Sequence, residues 1–112
     1  MRFTISSTAL SSRLLSLSRV INSKSSLPIL NCFVFDVSNN QLAITASDSE
    51  VVVRMSLNLE TLDGNGSFAV NNQNILDAVK ELPEQPLTVD VNMDEHMIYI
   101  SYQNGSYNFP IV

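Results

Sequence analysis

Ser67-Phe68-Ala69-Val70-Asn71-Asn72, continuing to Ile75, Val79 and Leu82 ahead of Pro83, decides the fold, because the chain has already run through the same order once. Moved back by 65 positions, Ser67-Phe68-Ala69-Val70 lies on Arg2-Phe3-Thr4-Ile5, and Ile75, Val79 and Leu82 lie on Leu10, Leu14 and Leu17. Each copy reads as a short strand that leads into an amphipathic helix. Steps of four and three residues put the apolar side chains on one helical stripe. The first helix is expected from Thr8 as N-cap to about Ile21. Ser12, Ser16 and Arg19 then lie opposite the stripe, with Leu15 near them. The second is expected from Asn74 to Leu82, capped by Asn71 or Asn72 and stopped by Pro83. Its outward residues are Gln73, Asp77, Lys80 and Glu81.

Three strand candidates follow each helix. In the first half they are Phe33, Phe35 and Val37; Leu42, Ile44 and Ala46 after an Asn39-Asn40 turn; and Val51, Val53, Met55, Leu57 and Leu59, all alternating. In the second half they are Leu87, Val89 and Val91; Met97-Ile98-Tyr99-Ile100; and Tyr107 to Val112 after an Asn104-Gly105 turn. The turn cluster Asp63-Gly64-Asn65-Gly66 separates halves of about 1–62 and 63–112. The expected architecture is α+β: one domain with an internal repeat of strand, helix and three strands. Two such units place two helices on one side of two antiparallel sheets, with pseudo-two-fold symmetry.

The 112 residues suffice for one domain with a core of its own. A hydrophobic share of 45% against 15% charged residues excludes a disordered chain, and so few charges suggest a face that a partner covers. Six Lys+Arg against eleven Asp+Glu leave a net charge of −5, which argues against a simple nucleic-acid binder. Any role on DNA has to rest on where the few cations sit, or on topology.

The inventory for catalysis is empty. Cys32 is the sole cysteine, which excludes an intrachain disulfide and a Cys-based zinc site and reads as a buried reduced thiol. His96, the sole histidine, stands beside Asp94 and Glu95 in what reads as a solvated hairpin turn. Asp48 and Glu50 share one side of an extended segment, but no third group completes a site, so they read as a polar turn. All three glycines fall in turns, leaving no phosphate-binding loop. Asn65-Gly66-Ser67 and Asn104-Gly105-Ser106 match the glycosylation pattern but are explained as turn chemistry. No run approaches the roughly 20 apolar residues of a membrane span, and there is no signal-peptide pattern. The expectation is a soluble, cytoplasmic protein that is no enzyme and needs no cofactor or metal.

Three further segments occur in order on this repeat: Met1-Arg2-Phe3-Thr4-Ile5, Leu27-Pro28-Ile29-Leu30 and Thr45-Ala46-Ser47-Asp48-Ser49-Glu50, with Leu82-Pro83 after the second helix. Together they resemble the first domain of the bacterial sliding clamp, the beta subunit of DNA polymerase III, over essentially the whole chain. The resemblance implies the DNA-clamp fold and a ring of two chains, each of three such domains, closed around duplex DNA with helices lining the hole. It implies a non-catalytic processivity factor, associated with the nucleoid during replication. The polymerase and clamp loader would be met through two later domains absent from this chain.

Site residues follow from the same resemblance. Contact with DNA is implied at Lys24, in the loop after the first helix, and at Gln73, where family members usually carry a basic residue. The helical wheel adds Arg19 and Lys80. The ring-closing subunit interface is implied at Asn74 and at Tyr107 and Phe109 of the last strand, with ordinary strand packing the less favoured reading of the two aromatics. A stand-alone α+β module that binds a ligand or another protein remains the alternative.

Overall fold

Strand β1 (Arg2–Ser6) turns into helix α1 (Ser7–Ser18) without a linker, because Ser6 ends the one and caps the other. Ser6 keeps an extended backbone (φ −64°, ψ 133°), and its Oγ accepts from the Ala9 N–H at 3.3 Å. The cap is therefore Ser6 and not Thr8. Thr8 already lies within the first turn, with its hydroxyl directed at the Glu84 carboxylate. This computed structural model describes residues 1–19, 32–47 and 51–112. Ile21, Lys24, the Leu27-Pro28-Ile29-Leu30 segment, Asp48 and Glu50 lie outside the described residues.

The first half continues with β2 (Cys32–Ser38), β3 (Gln41–Ser47), β4 (Val52–Asn58) and a short β5 (Thr61–Asp63). The second half runs β6 (Gly66–Asn71), α2 (Asn72–Val79), β7 (Pro86–Asn92), β8 (Met97–Tyr102) and β9 (Gly105–Pro110). Asn71 caps α2 by accepting from the Gln73 and Asn74 N–H groups at 3.0 and 3.2 Å. The two caps, Ser6 and Asn71, stand 65 residues apart, as the repeat requires. Helix α2 starts and stops earlier than its periodicity suggested. Proline disfavours helical backbone in the residue before it, so Leu82 falls beyond the helix, although it still packs on the core.

The two sheets are antiparallel throughout, in the orders β5-β1-β7-β8-β9 and β4-β3-β2-β6. Each half thus lends its first strand to the other half's sheet. Strand β1 pairs with β7, from Arg2↔Asp90 to Ser6↔Pro86, and β6 pairs with β2, from Cys32↔Asn71 to Val37↔Gly66. The repeat extends to individual backbone hydrogen bonds. The Leu59 N–H donates to the Asn40 carbonyl (2.8 Å) as Ile111 does to His96 (2.9 Å). Glu60 donates to Thr4 (3.0 Å) as Val112 does to Ala69 (2.8 Å). Asn40 and His96 both close hairpin turns at positive φ, 60° and 57°. Strand β5, too short to show a pattern of its own, exists because it pairs with β1.

Leu10, Leu14 and Leu17 are buried beneath α1, and Ile75 and Val79 beneath α2, in one core with Phe3, Ile5, Phe33, Phe35 and the inward residues of β7 and β8. Phe35 and Phe68 stack at its centre with centroids 5.0 Å apart. Along β4 the apolar face emerges gradually: Leu57 and Leu59 are buried, Val53 and Met55 half-buried, and Val51 exposed.

A polar knot ties the halves together at the start of α1. Ser7 is fully buried; its N–H donates to the Gln85 carbonyl (2.9 Å) and its hydroxyl to the Pro83 carbonyl (2.9 Å), while the Gln85 N–H donates back to Ser7 Oγ (3.0 Å). The Gln85 side chain donates to the Pro83 carbonyl (3.2 Å) and accepts from the Gln103 N–H (2.7 Å). Buried polar atoms in this knot have partners, as stability demands.

Candidate nucleic-acid face and subunit edge

Helices α1 and α2 lie in contact with each other, α1 also meeting β3 and β4, and α2 meeting β6 and β9. With their apolar stripes turned to the core, both offer polar sides outward. On α1 that side is Ser12, Leu15, Ser16 and Arg19, all exposed. On α2 it is Gln73, Asn74, Asp77, Lys80 and Glu81, also exposed.

The electrostatics of this face are set within α2 itself. Gln73 Nε2 donates to Asp77 Oδ1 at 2.9 Å, and Lys80 Nζ lies 3.1 Å from the same oxygen. The Gln73 hydrogen bond, then Lys80, hold the Asp77 carboxyl below the usual aspartate range. Lys80 therefore stands on the outer face as the helical wheel expects, but its charge already has a partner one turn away. Arg19 closes α1 as its C-cap and is exposed. Against these two cations stand Asp77 and Glu81, so the outward faces are close to neutral. Arg13, at the flank of the buried stripe, is a half-buried third cation that reading the wheel for wholly outward positions passes over. Lys24 lies outside the described residues.

Strand β9 ends the five-stranded sheet and pairs only with β8 among the described residues. Its register sets Tyr107 opposite Ile100 and Phe109 opposite Ile98. Phe109 is half-buried against the core, whereas Tyr107 is 36% exposed. Tyr107 stacks on Phe109 with centroids 6.4 Å apart and planes at 10°. Asn74, in the first turn of α2, belongs to the helix that lies against β9. The three residues expected at a subunit interface thus fall on two adjoining elements at one border of the molecule.

Elsewhere the chemistry is sparse. Cys32 is buried, and burial pushes its thiol upward. His96 is exposed in the turn between β7 and β8. Among the described residues no group of three or more His, Cys, Asp or Glu could hold a metal ion, and no helix is long and apolar enough to cross a membrane. Two solvent-open hollows, of about 370 and 440 Å³, are lined respectively by Asp36, Arg54 and Ser67 with neighbours, and by Glu84, Gln85, Pro86 and Gln103. Polar groups of these linings already have partners: Arg54 Nη1 donates to Asp36 (3.3 Å) and Ser67 also donates to Asp36, the Gln103 N–H donates to the Gln85 side chain (2.7 Å), and Glu84 accepts from Ser6 outside the lining (2.8 and 2.7 Å).

Comparison with known proteins gives a consistent result. The family described as DNA polymerase III beta subunit, N-terminal domain, matches residues 1–111. A beta sliding clamp of Vibrio cholerae is 36% identical over 84 residues, covering 75% of this chain and 23% of that protein. One of Pseudomonas putida is 30% identical over 100 residues, covering 89% and 27%. The crystal structure of the DNA polymerase III subunit beta from Pseudomonas aeruginosa superposes with a TM-score of 0.92 at 25% identity, covering all of this chain and 30% of that one. The Helicobacter pylori beta clamp bound to a DNA ligase peptide superposes at 0.91 and shares the fold at 20% identity, with 31% of its chain covered. The chain thus spans roughly a quarter to a third of the length of these relatives.

Proposed function

Because the chain belongs to the family of DNA polymerase III beta subunit N-terminal domains, we propose that it serves as the first unit of a sliding clamp. In the intact subunit, followed by two more such domains, it closes with a second chain into a ring around duplex DNA. The ring tethers the replicative polymerase and performs no chemistry itself. The observation that carries this reading is the outward face of α1 and α2: two helices side by side, polar, and close to electrically neutral.

A protein that grips DNA by charge loses affinity steeply with salt, about 0.9 log–log units per neutralised phosphate. A face with Arg19, a Lys80 already paired to Asp77, and Gln73 in place of a cation neutralises few phosphates. Closure of a ring retains DNA without such a grip, and weak contact leaves the ring free to slide. Lys24, Gln73, Arg19 and Lys80 are the proposed DNA contacts, brief and non-specific. Asn74, Tyr107 and Phe109 form the proposed ring-closing edge, where a partner strand would cover an otherwise open sheet border. The polymerase and the clamp loader would act through the later domains, in the cytoplasm and at the nucleoid.

The test is retention. Intact clamp loaded on nicked circular duplex should persist at about 150 mM salt and be lost when the circle is linearised. Equal retention on both forms would show adhesion and sink the proposal. A ligand-binding module would instead reveal itself by a ligand-dependent rise in the melting temperature of the 112-residue chain.

A further inference from the structure

We propose that Tyr102 is a positioning residue of the β9 edge, holding Tyr107 in the orientation in which it meets a partner chain. The inference rests on the reading of that edge as the ring-closing surface and adds a residue to it.

Three observations converge on Tyr102. Its ring stacks on that of Tyr107 with centroids 5.3 Å apart and planes at 22°, and Tyr107 stacks in turn on Phe109. Both separations fall in the range favoured by offset aromatic pairs. Tyr107, the exposed member, is thus held on both sides, with half-buried Phe109 anchoring the far end to the core. The register explains how Tyr102 reaches it: Tyr102 lies opposite Gly105 and Tyr107 opposite Ile100, so the two tyrosines are diagonal neighbours on one sheet face.

The glycine makes the room. A Cβ at position 105 would lie 2.9 Å from the Tyr102 hydroxyl oxygen and 3.1 Å from its Cζ. Gly105 has no positive φ to accommodate, so its service here is the missing side chain, over which the Tyr102 ring lies. The adjoining phenols also feel each other: a hydrogen bond with Tyr107, then burial, raises the Tyr102 phenol above the usual tyrosine range. A side chain already ordered before its partner arrives loses less freedom on binding, which strengthens association without a new contact.

The experiment measures association of the intact clamp subunit by sedimentation and its lifetime on nicked circular duplex. Tyr102→Ala should weaken association about 3- to 10-fold, the equivalent of one aromatic pair. Tyr102→Phe, which keeps the stack, should restore it. Gly105→Ala, by displacing the Tyr102 ring, should weaken it in the same direction. Tyr107→Ala should cost at least as much as Tyr102→Ala, and the double variant no more than Tyr107→Ala alone, since one residue acts through the other. Should Tyr102→Ala fail to fold, Tyr102→Leu retains apolar packing and carries the same expectation. Additive losses, or full association in Tyr102→Ala beside a weakened Tyr107→Ala, would overturn the positioning role and leave the edge reading intact. Unchanged association in both variants would overturn the edge reading itself.

Discussion

Ser7→Ala removes the centre of the knot that joins the halves, and its cost can be worked from the bonds. The hydroxyl donates to the Pro83 carbonyl and accepts from the Gln85 N–H. Pro83 keeps the Gln85 side-chain amide as a partner, so that loss amounts to one ordinary bond, about 1 kcal/mol net. The Gln85 N–H loses its acceptor within a residue only 9% exposed, and a buried orphan donor costs about 1–3 kcal/mol. Alanine's better helix propensity returns up to about 0.5 kcal/mol. The net expectation is about 1.5–4 kcal/mol, on the order of 10 °C in melting temperature for a domain of this size. Urea unfolding of the 112-residue chain measures it as a shift in midpoint at constant slope. Ser11→Ala is the control, because that half-buried hydroxyl reaches only the Thr8 carbonyl of its own helix (3.3 Å); it should change stability by less than about 0.5 kcal/mol. A Ser7→Ala loss no larger than the control would refute the view that the knot, and not apolar burial alone, holds α1 to the second half.

Leu14→Ala should cost about 2–5 kcal/mol in the same assay, since Leu14 is wholly buried in the α1 stripe; a loss well under 1 kcal/mol would contradict that burial, because even a site that collapses fully still forfeits the transfer energy of the deleted groups. Glu84 accepts hydrogen bonds from Thr8 and Ser6, which hold its carboxyl below the usual glutamate range. A folded-state value depressed in this way contributes stability that is present above the unfolded value, about pH 4.3, and lost as pH falls through the folded one. The stability gap between wild type and Glu84→Gln should therefore be widest near neutral pH and narrow as pH falls below the unfolded value; a gap independent of pH would count against it. Gln73→Lys should steepen the salt dependence of DNA contact by about 0.9 log–log units in the intact clamp, and an unchanged slope would place position 73 away from the phosphates.

What the sequence determined by itself is whatever depends on near neighbours. Four- and three-residue steps from Leu10 to Leu17, alternation from Phe33 to Val37, and Asn-rich turns identify elements, because helix and strand periods are local properties. The 65-residue return of that pattern identifies the pseudo-symmetric fold, and the charge count alone points away from a strong electrostatic grip on DNA. Boundaries were less legible: nothing in the sequence tells Ser6 from Thr8 as the cap, since either hydroxyl could serve; both donate to Glu84 in the fold, and Ser6 is the one that also accepts from a helix N–H, that of Ala9. The tertiary structure alone decided the exchange of β1 and β6 between sheets, the existence of β5, the Ser7–Gln85 knot and the place of Tyr102 over Gly105. Ser7 and Gln85 are 78 positions apart and Arg2 and Asp90 are 88 apart. No window of sequence joins such residues. Their meeting follows from burying two apolar helix stripes against two sheets at once, and that condition exists only in the assembled fold.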